Sequence, residues 1–403
     1  MSADGTPEPN RSGSLRSLIL PAYLPAVLYG VGQGAVQPII AHSAIDLGAS
    51  VAFAGFVVAL VGIGQICADL PVGALVTRIG EKRSMLLAVG LDVVALLVCI
   101  YATSLWMLCL AIACTGASGA VWMLARQVYV AEVVPFGLRA RALSTLGGTH
   151  RIGMFIGPFV AVVAIGLLGT VGGYWVHLGS SLLAGIALLV APDLAADRRR
   201  TSTTVAPVSV WTMVRRYRKV LGTLGVCVLL VAGIRASRQV ALPLWSSHIG
   251  LDGQSTSLIF GIAGAVDMLL FYPAGKVMDR FGRVWIAVPS VVVLALALLM
   301  MPLTQSFGSL LVVALVLGAG NGIGSGIIMT LGADVSPRTH RASFLGSWRL
   351  LSDSGNAVGP LLLSTVAATA GLGAGILAIG GLGLAAAVLL GRWVPKYGVG
   401  PEP

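Results

Sequence analysis

Twelve apolar stretches, each long enough to cross a lipid bilayer, constrain this chain more than any other feature. A spanning helix needs about 20 predominantly apolar residues. Such runs occupy 19–41, 52–76, 84–103, 105–133, 143–169, 172–192, 220–246, 255–278, 284–303, 307–333, 343–370 and 373–394. Most gaps between them are short. Across 403 residues only 10% are charged and 57% are hydrophobic, against about 25% charged in a soluble domain. A soluble enzyme, a disordered chain and a nucleic-acid-binding domain are therefore excluded. The expected fold is an all-α membrane protein of twelve transmembrane helices.

The longest break, 193–219, divides the chain into six spans and six. The expected organisation is a cytoplasmic tail (1–18), an N-terminal six-helix bundle (19–192), a cytoplasmic linker (193–219), a C-terminal six-helix bundle (220–394) and a second cytoplasmic tail (395–403). The polar start reads as a short tail, with no cleavable signal peptide.

The net charge of +11 follows from topology. Of 26 Lys and Arg, 21 fall in the tails, in the even-numbered gaps or in the span ends that adjoin them. The other five (Arg126, Arg151, Arg235, Arg238 and Arg349) lie inside spans. Cytoplasmic loops carry the basic excess, so both termini are expected in the cytoplasm, and no nucleic-acid partner is needed.

Shifting the chain by 202 residues aligns its halves without a gap. Gly48 falls on Gly250; Pro71, Gly73, Arg78 and Gly80 fall on Pro273, Gly275, Arg280 and Gly282. Pro135, Arg139 and Ala140 fall on Pro337, Arg341 and Ala342; Gly153, Gly157 and Pro158 fall on Gly355, Gly359 and Pro360. Six is even, so the repeats share one orientation and are related by an axis along the membrane normal. Such architectures bind substrate near the midplane and rock their halves to alternate access.

These residues resemble the major facilitator superfamily over essentially the whole chain, and within it proton-coupled drug and multidrug efflux members. The loop signature between spans 2 and 3 reads GALVTRIGEKR, from Gly73 to Arg83. Its echo between spans 8 and 9 reads GKVMDRFGR, from Gly275 to Arg283. Arg126 stands where that family has an arginine in span 4. GMFIGPF in span 5, with Gly153, Gly157 and Pro158, is similar to the family's antiporter segment, although Ala161 and Val162 replace its usual glycines. The resemblance implies that Gly73, Arg78, Gly80, Gly275, Asp279, Arg280 and Gly282 gate the rocking, and that Arg126 serves proton transfer or fixes a neighbour's charge. Thr77 replaces the usual acid of the first signature, which puts that latch in doubt. Without the family, Gly73 and Gly80 suit close packing and a tight reversal, and Arg78, Lys82 and Arg83 suit a helix end or anionic headgroups.

Ionisable residues inside spans are expensive and are functional candidates by default. Asp267 lies about halfway along span 8, and Arg235 and Arg238 lie at comparable depth in span 7. One of the two arginines is expected to pair with Asp267, either as a static pair or as a proton site. Arg349 and Asp353 are spaced to pair on span 11. Glu132 and Asp334, equivalent by the repeat, are expected to pair with Arg139, Arg141, Arg338 or Arg341; Glu132 is also a candidate for charge coupling. Arg151 has Asp92 or Asp69 as possible partners.

The resemblance places spans 1, 4, 7 and 10 around the central cavity. Tyr29, Gln33 and Gln37 form one stripe on span 1. Arg235 and Gln239 form another on span 7, on Gln33 and Gln37 in the repeat. Trp122 and Arg126 on span 4 and Asn321 on span 10 complete the expected cavity face. The competing reading is polar glue between helices.

The five cysteines read as small buried hydrophobes, with no disulfide or metal role. The five histidines are dispersed, and His42, His248 and His340 read as bland. The ATP-binding GxxxxGK[ST], the zinc HExxH and the nucleophile GxSxG patterns do not occur. The sequence therefore leads to a monomeric secondary transporter in a bacterial plasma membrane, with no cofactor beyond a coupling proton and no enzyme activity. The resemblance implies proton-coupled export of small molecules as its action. Uptake of a polar or anionic solute is one alternative. A non-transporting membrane scaffold or sensor is another.

Overall fold

A computed structural model describes residues 18–134, 136–192, 215–337 and 341–397. The expected linker and tails lie mostly outside these residues, as do Pro135, Arg338 and the side chains of Arg139, Arg141, Asp279 and Arg341.

In lipid every backbone polar group needs an internal partner, so apolar runs of this length become helices. Span 2 is Val51–Ile79, span 3 Glu81–Ile100, span 4 Leu105–Val133, span 5 Phe136–Leu168 and span 6 Gly172–Val190. Span 7 is Val226–His248, span 8 Gly253–Phe281, span 9 Val284–Met300, span 11 Arg341–Ala370 and span 12 Leu372–Tyr397. Eleven helices, counted among the described residues, are long and apolar enough to cross a membrane. The twelfth, span 11, has the length, but its middle carries Arg349, Asp353 and Asn356.

Two expected spans are broken. Span 1 runs Ile19–Tyr23 as a π turn, then Leu24–Val36, and resumes as Ile40–Asp46. Pro38 lacks the N–H that would continue the ladder. Span 10 runs Phe307–Ile323, then Ile327–Val335, and Gly326 between them has φ +85°.

The repeat extends to individual backbone features. Helix starts are capped at matched positions: Ser50 accepts from Phe53 N and Asp252 from Ser255 N. Ser104 accepts from Met107 N and Ser306 from Ser309 N. Each such cap contributes about 1 kcal/mol. The reversals after spans 2 and 8 turn on Gly80 and Gly282, both at φ +92°, where a side chain would strain the backbone. Gly73 and Gly275, by contrast, have nothing within 4 Å of a built Cβ. The tight reversal is therefore present, while close packing at Gly73 is not.

Within each half, span 1 packs on spans 5 and 6, span 2 on 4, and span 3 on 4 and 6; the second half repeats this arrangement. Backbones approach through small residues. A Cβ on Gly153 would meet Val27 O and one on Gly157 Val31 O; on Gly355 it would meet Leu229 O and on Gly359 Gly233 O. Gly116 meets Val61 O as Gly318 meets Ala263 O. All six contacts fall into 202-residue pairs. Between the halves, span 5 meets span 8 and span 2 meets span 11. Twelve helices in two pseudo-symmetric six-helix halves follow.

Candidate functional site

Two cavities of about 490 Å³ and about 400 Å³ lie between the halves. Gln37, Met154, Arg238, Gln239 and Asn321 line both. The larger adds Arg151, Asp267 and an aromatic wall of Phe155, Phe260, Phe271 and Tyr272. The smaller adds Gln33, Arg235 and His177.

A charge network from spans 7, 8 and 10 joins them. Arg238 Nη2 lies 3.9 Å from Asp267 Oδ2. Asn321 Nδ2 donates to the same oxygen, and Arg235 Nε donates to Asn321 Oδ1 at 2.8 Å. Arg235 Nη1 donates to Gly324 O at 3.2 Å. That carbonyl is reachable because span 10 is interrupted there. Of the two span-7 arginines, Arg238 therefore faces Asp267 directly, and Arg235 reaches it through Asn321.

Gln37 Nε2 donates to Gln239 Oε1 across the halves. The repeat relates these two residues to each other, so their bond sits on the pseudo-twofold axis.

Gln33, Gln37, Arg235, Gln239 and Asn321 reach the cavities, whereas Tyr29, Trp122 and Arg126 do not. Tyr29 stacks on Trp122 with ring centroids 4.8 Å apart, and both are about 1% exposed. Aromatic surface is better satisfied in that stack than along a wet face. Arg126 is 3% exposed, with Nη2 directed at Met123 Sδ (3.0 Å) and with Nε and Nη1 lacking partners. It stands behind the wall that Met123 forms.

Arg151 pairs with neither Asp92 nor Asp69. It donates to Ser325 Oγ and lies 4.7 Å over the Phe271 ring, both in the other half. Asp92 instead takes a hydrogen bond from Ser181 Oγ (2.6 Å) and lies 3.3 Å from His177 Nε2. Asp334 is bound by Arg283 at 2.9 Å, since the turn at Gly282 directs Arg283 back toward span 10; the expected partners Arg338 and Arg341 lie outside the described side chains. Arg349 pairs with Asp353 at 3.3 Å and also donates to Gln127 Oε1 across the halves at 3.4 Å. Glu132 is partly buried near the basic end of span 4, away from both cavities.

Among the expected gate residues, Arg78 and Arg280 are exposed. Thr77 Oγ1 donates into its own helix, to Gly73 O (3.0 Å) and Ala74 O (2.9 Å). Asp279 lies outside the described side chains. Gly153 and Gly157 sit where span 5 meets span 1, a packing role, whereas Pro158 lines the larger cavity. Cys67 is exposed, unlike the buried Cys99, Cys109 and Cys227.

Two features escaped the sequence. The first is the His177–Asp92 pair. Both residues lie in spans, but nothing in their spacing joins spans 3 and 6. The second is His42. Its Nε2 donates to Leu251 O at 3.2 Å and lies 3.4 Å from Thr256 Oγ1, both in the other half. With Gln254 Nε2 donating to Val162 O (3.1 Å), it closes the end opposite the basic loops.

The Major Facilitator Superfamily family model matches residues 23–266 and 224–402. The chain is 22% identical over 335 residues to an uncharacterized MFS-type transporter, YhjO, of Bacillus subtilis, covering 83% of this chain and 82% of that one. It is 25% identical over 186 residues to the class H tetracycline resistance protein of Pasteurella multocida, covering 45% and 44%. Its fold resembles a D-xylose-proton symporter with TM-score 0.70 at 18% identity, over 95% of this chain and 98% of that one. Repeat, helix order and family match agree: this chain belongs to the major facilitator superfamily.

Proposed function

We propose that this protein is a proton-coupled secondary transporter that exports small organic molecules by alternating access. One observation carries the reading: Asp267 sits in the wall of the larger cavity with its charge held by Arg238 and Asn321. Taking a proton removes the charge that holds Arg238, so protonation and the shape of the cavity wall are linked. Export is supported by the likeness to a tetracycline resistance protein, and proton coupling by the fold shared with a proton symporter.

In this reading the basic loops and both termini face a bacterial cytoplasm, and the chain works as a monomer. The closed end at His42 then faces outward, and the cavities load from inside. Gly80 and Gly282, with Arg78 and Arg280, are the reversals about which the inner ends shift.

The test is flux in proteoliposomes under an imposed pH gradient, for wild type and D267N. Gradient-driven efflux that D267N uncouples is the expected result. Wild-type flux that ignores the gradient, or an unchanged pH profile in D267N, overturns the coupling. Uptake of an anionic solute is the second reading, favoured by the arginines that outnumber Asp267 around the cavities.

A further inference from the structure

We infer that the central cavities bind an amphipathic organic anion, an aromatic carboxylate being the simplest case. This rests on the cavities being the transport path, as proposed above, but not on the direction of transport.

The observation is charge balance. Arg151, Arg235 and Arg238 line the two cavities, and Asp267 is the only carboxylate among their lining residues. Behind the wall stand one further arginine, Arg126, and one further carboxylate, Asp92, so the count of formal charges is unchanged. Farther toward the basic end, Asp69 faces the Arg349–Asp353 pair. About two positive charges therefore stand unmatched at mid-membrane depth. Uncompensated charge there is costly and calls for a partner.

The arginines also have unused hydrogen-bonding capacity. Arg238 Nε is buried with no partner, and Arg238 meets Asp267 through Nη2 only, at 3.9 Å. That separation is longer than a charge-assisted hydrogen bond, which prefers about 2.7–2.9 Å. Asp267 already accepts from Asn321. The guanidinium is thus incompletely engaged, and a planar carboxylate matches its donors in pairs.

The apolar body has its own place. Phe155, Phe260, Phe271 and Tyr272 line the larger cavity, and Arg151 lies over the Phe271 ring. The volume of about 490 Å³ accommodates a two-ring acid. A cation of the same size has one carboxylate to meet and three arginines to repel it. The site is therefore anion-selective, and Asp267 competes with the ligand for Arg238.

The experiment uses the full-length purified protein and two fluorescent probes matched in size, 1-naphthoate and 1-naphthylmethylammonium. Binding is followed by fluorescence titration. Naphthoate is expected to bind saturably and far more tightly than the ammonium. R238Q should weaken naphthoate about tenfold to a hundredfold, R238K should weaken it less, and D267N should strengthen it. Elution profile and melting temperature identify any misfolded variant, and R238K keeps the test decisive if R238Q is one. Equal or tighter binding of the ammonium, no saturable naphthoate binding, or unchanged affinity in folded R238Q overturns the inference. Ammonium preference alongside proton-driven flux sinks the anion assignment alone. Naphthoate binding without flux sinks the transport reading and leaves the anion site standing.

Discussion

Gly157→Ala adds one methyl group where spans 1 and 5 cross. Its Cβ would stand 2.7 Å from the Ala35 nitrogen, 2.9 Å from the Gly34 carbonyl carbon and closer still to Val31 O. All three are backbone atoms, so no side chain can rotate away. Carbon contacts settle at about 3.5–4.0 Å, so the helices must part by roughly 1 Å. Overpacking of this kind costs about 1–3 kcal/mol. Gly147, on the same helix, has nothing within 4 Å of a built Cβ. Gly147→Ala should therefore stabilise slightly, by about 0.4–1 kcal/mol, through the unfolded chain. Because Gly359 meets Gly233 as Gly157 meets Val31, Gly359→Ala should lose about as much as Gly157→Ala. The assay is intrinsic tryptophan fluorescence during thermal unfolding in detergent. G157A and G359A should melt several degrees below wild type, and G147A at or above it. If G157A melts with wild type, or G147A falls as far, the close-approach reasoning fails.

His42→Ala removes the ring that reaches Leu251 O and Thr256 Oγ1 across the halves. Spin labels on the 46–51 and 249–253 loops should stand farther apart in H42A than in wild type, and unchanged distances refute the closing role of the ring. Gly80→Ala forces a side chain to φ +92° and should cost about 1–3 kcal/mol, read as a lower melting temperature. Asp92→Ala removes the acceptor of Ser181 and the partner of His177. It should destabilise by about 3–5 kcal/mol, with D92N recovering much of the melting temperature because an amide can still accept from Ser181.

The repeat was legible at single Gly and Pro positions, because they record backbone demands that do not depend on partners, whereas the matched caps at Ser50 and Asp252 and the matched contacts of Gly116 and Gly318 emerged only from the folded helices. Depth along a span was legible too, which is why Asp267, Arg235 and Arg238 stood out. Rotation about a helix axis was harder. Tyr29 shares a stripe with Gln33 and Gln37, yet its ring turns away onto Trp122, since cross-helix stacking decides what a stripe alone leaves open. The partners of Arg151 and Asp92, and the hold of Arg283 on Asp334, depended on which helices touch, which spacing along the chain does not show. The breaks in spans 1 and 10 left a trace, in Pro38 and in the glycines of GAGNGIGSG. An apolar count reads through such residues because length and hydropathy are unaffected by one interrupted turn.

The Gln37–Gln239 bond has a mechanical consequence. When two like bodies tilt against each other about their shared midplane, points far from the fulcrum travel most and points on it hardly at all. A bond between symmetry-equivalent atoms on that line can survive in both tilts. Under the alternating access proposed above, the His42–Leu251 contact lies toward one end of the lever and has to open. Gln37 and Gln239 can therefore act as a hinge pin, holding the halves in register while the two mouths exchange which one is shut.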